Sequence, residues 1–343
     1  MKRWSLGRLL LTIGGSVVLW AGLGAACLLV GSTGSVGIPT WGQFQWRVES
    51  VLLASLIGAA LAAAGVVYQA ILRNPLADPY LLGVSSGASL FAYLWQFRFA
   101  GSVAAVWVAL TGRAANQQVF AFLGAALSVM VVFGLASRRG RMEPITLLLV
   151  GVIVNAVNGA LFLLINALYK DQPGSGGALN FLIGGIQTTL TTQDKAVAAV
   201  AIAGGWVALM SLSGPLGVAS LSESEAESLG VRIHALRWVS LILASLMTAS
   251  AVAISGPIGF VGLVCPHLGR LIAGGDPRKL LPVATGLGAG LLAVADAASR
   301  YLAGEGYART LLPVGVLTGL LGGPFFLVLL WQSRRRGLAE VGR

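Results

Sequence analysis

Residues 58–88 read GAALAAAGVVYQAILRNPLADPYLLGVSSGA. An apolar helical run stops at Arg73-Asn74-Pro75, turns through Leu76-Ala77-Asp78-Pro79 and resumes as a second apolar run rich in Gly and Ser. Two prolines, one after Asn and one after Asp, mark a tight hairpin: Pro presets φ, and the short polar side chains bond their own backbone. The flanks are long and apolar, so the hairpin joins two membrane-spanning segments.

Composition agrees with that solvent. The 343-residue chain is 56% hydrophobic and 10% charged, where a soluble domain carries roughly 25% charged residues. Its 47 glycines are about twice the usual ~7%. In lipid, small residues let helix backbones approach closely, since packing replaces the hydrophobic drive between helices. No segment shows the ten-residue polar/apolar alternation of an outer-membrane barrel. The net charge of +11 lies in short loops between apolar runs, which fits the positive-inside bias rather than the basic face of a nucleic-acid binder. Cys27 and Cys265 both sit in apolar context, so neither a disulfide framework nor a zinc site is indicated.

Apolar windows predict ten spans, at about 9–30, 51–72, 82–97, 118–136, 145–167, 196–212, 238–254, 256–273, 281–299 and 313–331. The first follows MKRWSLGR and passes Leu23-Gly24-Ala25-Ala26-Cys27. It is too long for a signal-peptide core, so an uncleaved span is expected. Ten spans put both termini on one side. Placing them in the cytoplasm assigns sixteen of the 23 Lys and Arg residues to that side and seven, including Arg98 and Arg113, to the other. That bias sets the orientation.

Two loops are long. The outer one, 170–195, holds the apolar stretch 178–186, expected as a short surface or re-entrant helix. In the inner one, 213–237, Ser222-Glu223-Ser224-Glu225 fits a capping box. Ala226 and Leu229 then share a face, and Gly230 can close the helix in a left-handed conformation. The expectation is a short amphipathic helix carrying Glu223, Glu225 and Glu227. From this pattern alone, a solvated turn and a knob for a cytoplasmic partner both stay open.

Further motifs follow in order along the chain. Gly58-Ala59-Ala60-Leu61 with Gly65 and Gln69 precedes the hairpin with Asn74, Pro75, Asp78 and Pro79, then Leu82-Gly83-Val84-Ser85-Ser86-Gly87-Ala88. Later come Leu229-Gly230-Val231, then Gly256-Pro257-Ile258-Gly259-Phe260-Val261-Gly262-Leu263 with Pro266, His267 and Arg270. Asp296 with Arg300, Leu312-Pro313-Val314-Gly315 and Gly322-Gly323-Pro324-Phe325-Phe326 complete the set. Together they resemble permease subunits of the FecCD type, found in type II ATP-binding-cassette importers of iron-siderophores, haem or cobalamin. The resemblance covers nearly the whole chain, and its strength lies in the number and order of the motifs.

It implies an all-α polytopic protein of about ten transmembrane helices, residues 1–343 forming one permease domain in a bacterial plasma (inner) membrane. The partners implied are a second permease subunit in a homodimer, two cytoplasmic ATPases and an external substrate-binding protein. The cargo expected is a ferric siderophore, with cobalamin and haem as alternatives. This chain would bind no cofactor; ATP and Mg belong to the ATPases. The sequence agrees, since a phosphate-binding loop needs Lys directly after Gly, and none of Lys2, Lys170, Lys195 and Lys279 follows a glycine.

Site residues carry over from the same resemblance. Glu223, Glu225, Ala226, Glu227, Leu229, Gly230, Val231 and Arg232 correspond to the element that couples to the ATPase. Arg47 falls where binding-protein docking is expected, although Arg47-Val48-Glu49-Ser50 stands where the family usually has R-L-P-R. Leu311 replaces a frequent Glu; Arg309 and Glu305 are nearby sources of outer charge. Pro144 and Ile145 occupy the cytoplasmic gate position. Asn155 and Asn158 share a face of the fifth span, which in the family borders the channel; interhelical hydrogen bonding explains them equally.

Two constellations have bland and sharp readings. Asp296 and Arg300 are spaced i, i+4, acid first, as in a helical ion pair; a proton relay is the sharper reading. Cys265-Pro266-His267 invites a metal, but two Cys and two His in the whole chain make four protein ligands hard to assemble. The rival class is an ion-coupled secondary transporter, which calls for paired ionisable groups or broken helices at mid-membrane, often in two repeated halves. No internal repeat is evident.

Overall fold

The computed structural model describes residues 6–31, 36–95, 97, 100–111, 116–138, 141–142, 144–169, 184–186, 190–219, 226, 228, 230–302 and 312–341. Among these the chain is almost wholly helical. Its helices are α1 (Leu6–Leu28), α2 (Trp41–Ile71), α3 (Val84–Leu94), α4 (Ala100–Thr111), α5 (Gln117–Ala136) and α6 (Pro144–Leu168). They continue with α7 (Thr192–Ala219), α8 (Ile233–Ser255), α9 (Val261–Ala273), α10 (Pro277–Leu302) and α11 (Val314–Val341). A 3-10 turn, Pro79–Leu82, precedes α3, and two-residue strands pair across the turn between α5 and α6.

Each of the ten expected spans contains a helix. Seven are long and apolar enough to cross a membrane, namely α1, α2, α5, α6, α7, α8 and α10. The apolar helices α3, α9 and Val314–Leu329 of α11 are shorter.

Several boundaries differ from expectation, each for a local reason. Helix α2 begins ten residues early, where Thr40 donates its backbone N–H to Gln43 Oε1 at 3.0 Å, half of a capping box. The eighth span begins only at Val261, because Gly256 (φ 70), Pro257 and Phe260 (φ 68) break the helix. Helix α7 runs through Pro215 to Ala219, which shortens the inner loop. Helix α4 was expected as loop; its 12 residues are too few for a span. Most of the expected outer helix, residues 178–183, lies outside the described residues; its last three, 184–186, are not helical, with Gly185 N–H on Ser255 O (2.8 Å) and Gly315 N–H on Gly184 O (3.0 Å).

Helix α2 is the axis of the bundle, buried along most of its length, while α1 and α6 stay largely exposed. Small residues make that centrality possible. A Cβ on Gly58 would overlap the Gly288 carbonyl of α10, and one on Gly65 would overlap the Gly262 carbonyl of α9. Backbone therefore meets backbone at both crossings, as lipid-immersed helices require.

Candidate functional site

The link after α2 is built by its own side chains. Asn74 Oδ1 accepts the Leu76 N–H (2.9 Å), and the Ala77 N–H reaches Asn74 O (3.1 Å), so the chain doubles back. Asp78 then serves two helices. Its Oδ1 caps the 3-10 turn through the Tyr80 N–H (3.0 Å), and its Oδ2 accepts the Phe260 N–H (3.1 Å) at the start of α9. A carboxylate at two helix N-termini meets orphan donors and the positive end of each dipole. Burial pushes the Asp78 carboxyl up to about 6, and the two N–H bonds hold the rise back.

Gln69 fastens the same region from α2. Its Nε2 donates to Ala77 O and Gly262 O, both at 3.2 Å, while Arg270 of α9 donates to its Oε1. Pro79 lies against Gly262, where a Cβ would sit 2.6 Å from the proline Cδ. Gly83, at φ 76, ends the 3-10 turn and opens α3. Thus Gln69, Asn74, Asp78, Pro79 and Gly83, together with the distant Arg270, form one knot joining α2, α3 and α9. Pro75 is exposed at its rim; Pro266 is buried within α9, and the His267 ring meets Phe325 of α11 edge-on at 5.7 Å.

Arg73 extends the knot. Its backbone is left-handed (φ 48), and its Nη2 donates to Ala219 O, the last carbonyl of α7, at 3.2 Å. A guanidinium there complements the negative end of the helix dipole. Ala219 leads directly into the expected coupling element. Glu223, Glu225, Glu227 and Leu229 lie outside the described residues, but the element's end is visible. The Val231 N–H reaches Ala226 O (3.1 Å) across Gly230 at φ 78, and Ala226 is fully buried. This six-to-one bond over a left-handed glycine is a Schellman closure. Arg232 follows as the N-cap of α8.

Pro144 opens α6, and Ile145 beside it is 76% exposed. Asn158 points into the subunit: its amide donates to Ser86 Oγ of α3 (3.1 Å) and Ser128 Oγ of α5 (3.0 Å). Asn155, half-buried, lies next to Gly83. The two asparagines therefore flank the α3 start rather than one continuous surface stripe.

At the other end, Arg47 is turned inward, donating to Leu28 O (2.8 Å) and Gly37 O (3.2 Å) at 5% exposure. Ser50, where the family pattern has Arg, is buried, and Glu49 forms an ion pair with Lys195 of α7. That pair was not anticipated; an acid in place of proline in the R-L-P-R pattern was the signal for it. Arg309, Glu305 and Leu311 lie outside the described residues. Asp296 and Arg300 pair at 3.0 Å, and the guanidinium also reaches Val30 O (3.3 Å) and stands 5.6 Å from the Trp46 ring. Among the described residues, no three His, Cys, Asp or Glu side chains gather into a metal site.

A bundle of apolar helices with shorter ones knotted to its central helix is the build of a polytopic membrane protein. The chain belongs to the FecCD transport family, whose model matches residues 16–332. It is 36% identical over 294 residues to the cobalamin import permease BtuC of Halobacterium salinarum, covering 85% of this chain and 74% of that one. To the Fe(3+)-citrate import permease YfmD of Bacillus subtilis it is 32% identical over 347 residues, covering 97% and 98%. A solved inward-facing structure, assigned to the metal-chelate type of ABC transporter, superposes with a TM-score of 0.78 at 29% identity, covering 94% of this chain and 99% of that one.

Proposed function

We propose that this chain is the membrane permease of an ATP-driven importer of a metal chelate, working as a homodimer with two cytoplasmic ATPases and an external binding protein. The observation that carries this reading is the Arg73 contact with Ala219. It ties the helix that runs into the coupling element to the knot around Gln69 and Asp78. A push on that element is then felt at once by α2, α3 and α9, a rigid-body route from nucleotide-driven motion to a change of access. Glu223, Glu225 and Glu227 supply charge for an ATPase groove, and Arg47 and Arg309 lie on the side of the binding protein. Asn155 and Asn158 border the path, and Pro144 and Ile145 its inner gate, with both termini in the cytoplasm. No cofactor is bound by this chain.

For cargo we infer a ferric siderophore. The ferric-citrate import permease, which this chain matches over nearly its full length, supports iron; the relative that imports cobalamin favours cobalamin as a second reading. The test has two parts. Vesicles holding the permease alone accumulate no chelate, and uptake appears when the ATPases and ATP are added; accumulation driven by an ion gradient alone overturns the proposal. Charge reversal at Glu225 and Glu227 weakens ATPase association while membrane insertion is kept, and unchanged assembly counts against the coupling role. Titrating the cognate binding protein with ferric siderophore, cobalamin and haem decides the cargo.

A further inference from the structure

Helix α2 is longer than a membrane is thick. Its 31 residues extend about 46 Å at 1.5 Å per residue, against a hydrocarbon core of ~30 Å. Two polar contacts fix where the surplus lies. At the inner end Gln69 meets Arg270, and at the outer end Glu49 pairs with Lys195 near the start of α7. Charges are costly in hydrocarbon, so the core ends at or below Glu49. The twenty positions from Glu49 to Gln69 span about 30 Å, which is the core itself. Residues 41–48 therefore stand outside it. Trp41, eight positions before Glu49, lies about 12 Å beyond the pair, while the headgroup layer adds only about 6 Å on each side.

This outward post is firm at its base and bare at its tip. Arg47 donates to the Leu28 and Gly37 carbonyls, and the Trp46 ring lies 5.6 Å from the Arg300 guanidinium. Above them Trp41, Gly42, Gln43, Phe44 and Gln45 are all exposed. Five consecutive residues make more than one full turn, so this subunit covers no face of the tip. Trp41 and Phe44 stack there with ring centroids 5.9 Å apart, and Ile38, in the link before the helix, is 94% exposed. Among the described residues, the cations at this end already hold acceptors: Arg47 its two carbonyls, Lys195 Glu49, and Arg300 Asp296. The contact on offer is apolar.

We propose that Ile38, Trp41 and Phe44 seat the external substrate-binding protein, which meets them with an apolar patch instead of acidic side chains. This rests on the importer reading above and names the chemistry of its outer docking contact. Lipid does not reach the post, because the rings stand beyond the headgroup layer. A second copy of the permease, in the same membrane, abuts the bundle from one side and leaves the tip bare. A protein descending from outside meets the tip and its faces together. Aromatic side chains on a rigid support are the usual anchors of protein interfaces, and a post already held in place adds little ordering cost.

The test uses the full permease in lipid nanodiscs. Cys27 and Cys265 are buried, so a Phe44→Cys protein takes a bimane label at that position. Aqueous iodide should quench the label, a headgroup spin label should not, and adding the purified cognate binding protein should shield it from iodide. Trp41→Ala with Phe44→Ala should keep the wild-type melting temperature and weaken affinity for the binding protein about ten-fold or more. Wild-type affinity should change less than about two-fold between ~0.05 and ~0.5 M salt, since screening acts on charges and not on apolar contact. Quenching by the headgroup label, or shielding from iodide before the binding protein is added, overturns the proposal. So does a double variant that binds like wild type, or a wild-type affinity that collapses in high salt; each of these leaves the importer reading standing. A wild type that binds no such protein removes that reading, and this inference with it.

Discussion

The Asp78 carboxylate accepts the backbone N–H of Phe260 at 3.1 Å, across 182 positions of chain. One side chain thus closes the hairpin after α2 and starts α9. Asp78→Ala takes the acceptor from two partly buried donors, a cost of about 0.5–1.5 kcal/mol for each. Thermal unfolding of the detergent-purified variant should begin well below wild type. An unchanged melting temperature would show that the contact carries no stability.

The same carboxyl makes stability depend on pH. Its native value is about 6, against 3.8 ordinarily. Between those values the folded protein holds a proton that the unfolded chain has released, so stability falls as pH rises through the window and levels off above it. Denaturation midpoints measured from about pH 4 to 8 should show this decline in wild type. In Asp78→Asn, which cannot titrate, it should be absent.

Gly65 is the tightest test of the packing. A Cβ there overlaps the Gly262 carbonyl, so Gly65→Ala must move α9 off α2. The expected loss is about 1–3 kcal/mol, visible as a reduced yield of monodisperse protein. Gly204→Ala, with open space around it, should be neutral or stabilising by about 1 kcal/mol through helix propensity. Equal behaviour of the two would refute the backbone contact.

Arg73 separates folding from coupling. Its left-handed backbone costs a side chain about 1–2 kcal/mol, so Arg73→Gly should express at least as well as wild type. Without the guanidinium on Ala219, uptake should drop about ten-fold, a loss of ~1.4 kcal/mol in coupling. Wild-type uptake by Arg73→Gly would remove Arg73 from the proposed relay.

Arg47 distinguishes a strut from a docking residue. Its guanidinium holds the last carbonyl of α1, at Leu28, and the Gly37 carbonyl of the link that follows, so Arg47→Ala should lower the melting temperature of the isolated permease. Affinity for the binding protein, measured on the surviving folded fraction, tests docking separately. Loss of affinity with full stability would favour direct contact.

Much of this was legible residue by residue. The turn chemistry of Asn74-Pro75 and Asp78-Pro79 announced the hairpin, and apolar length announced the spans, because both are local properties of the chain. The left-handed role of Gly230 could likewise be read from its place after an amphipathic turn. Other features were not readable. Pattern cannot tell whether Asn158 faces a channel or neighbouring helices; its bonds to Ser86 and Ser128 depend on where α3 and α5 pass. Arg47 looked like an outward charge, yet its reach matches carbonyls that only the folded loop presents. Helix α4 escaped notice because length, the chief signal for a span, fails below about 17 residues.

By itself, the sequence determined the solvent, the hairpin and the family, since hydropathy and turn propensity act over a few neighbouring residues. The partners of Asp78, Gln69 and Arg73 were decided only by tertiary structure. Their acceptors and donors are backbone groups of Phe260, Gly262 and Ala219, more than a hundred positions away. Every residue but proline offers the same backbone N–H and C=O, so no side-chain pattern marks which of them a distant polar group will meet.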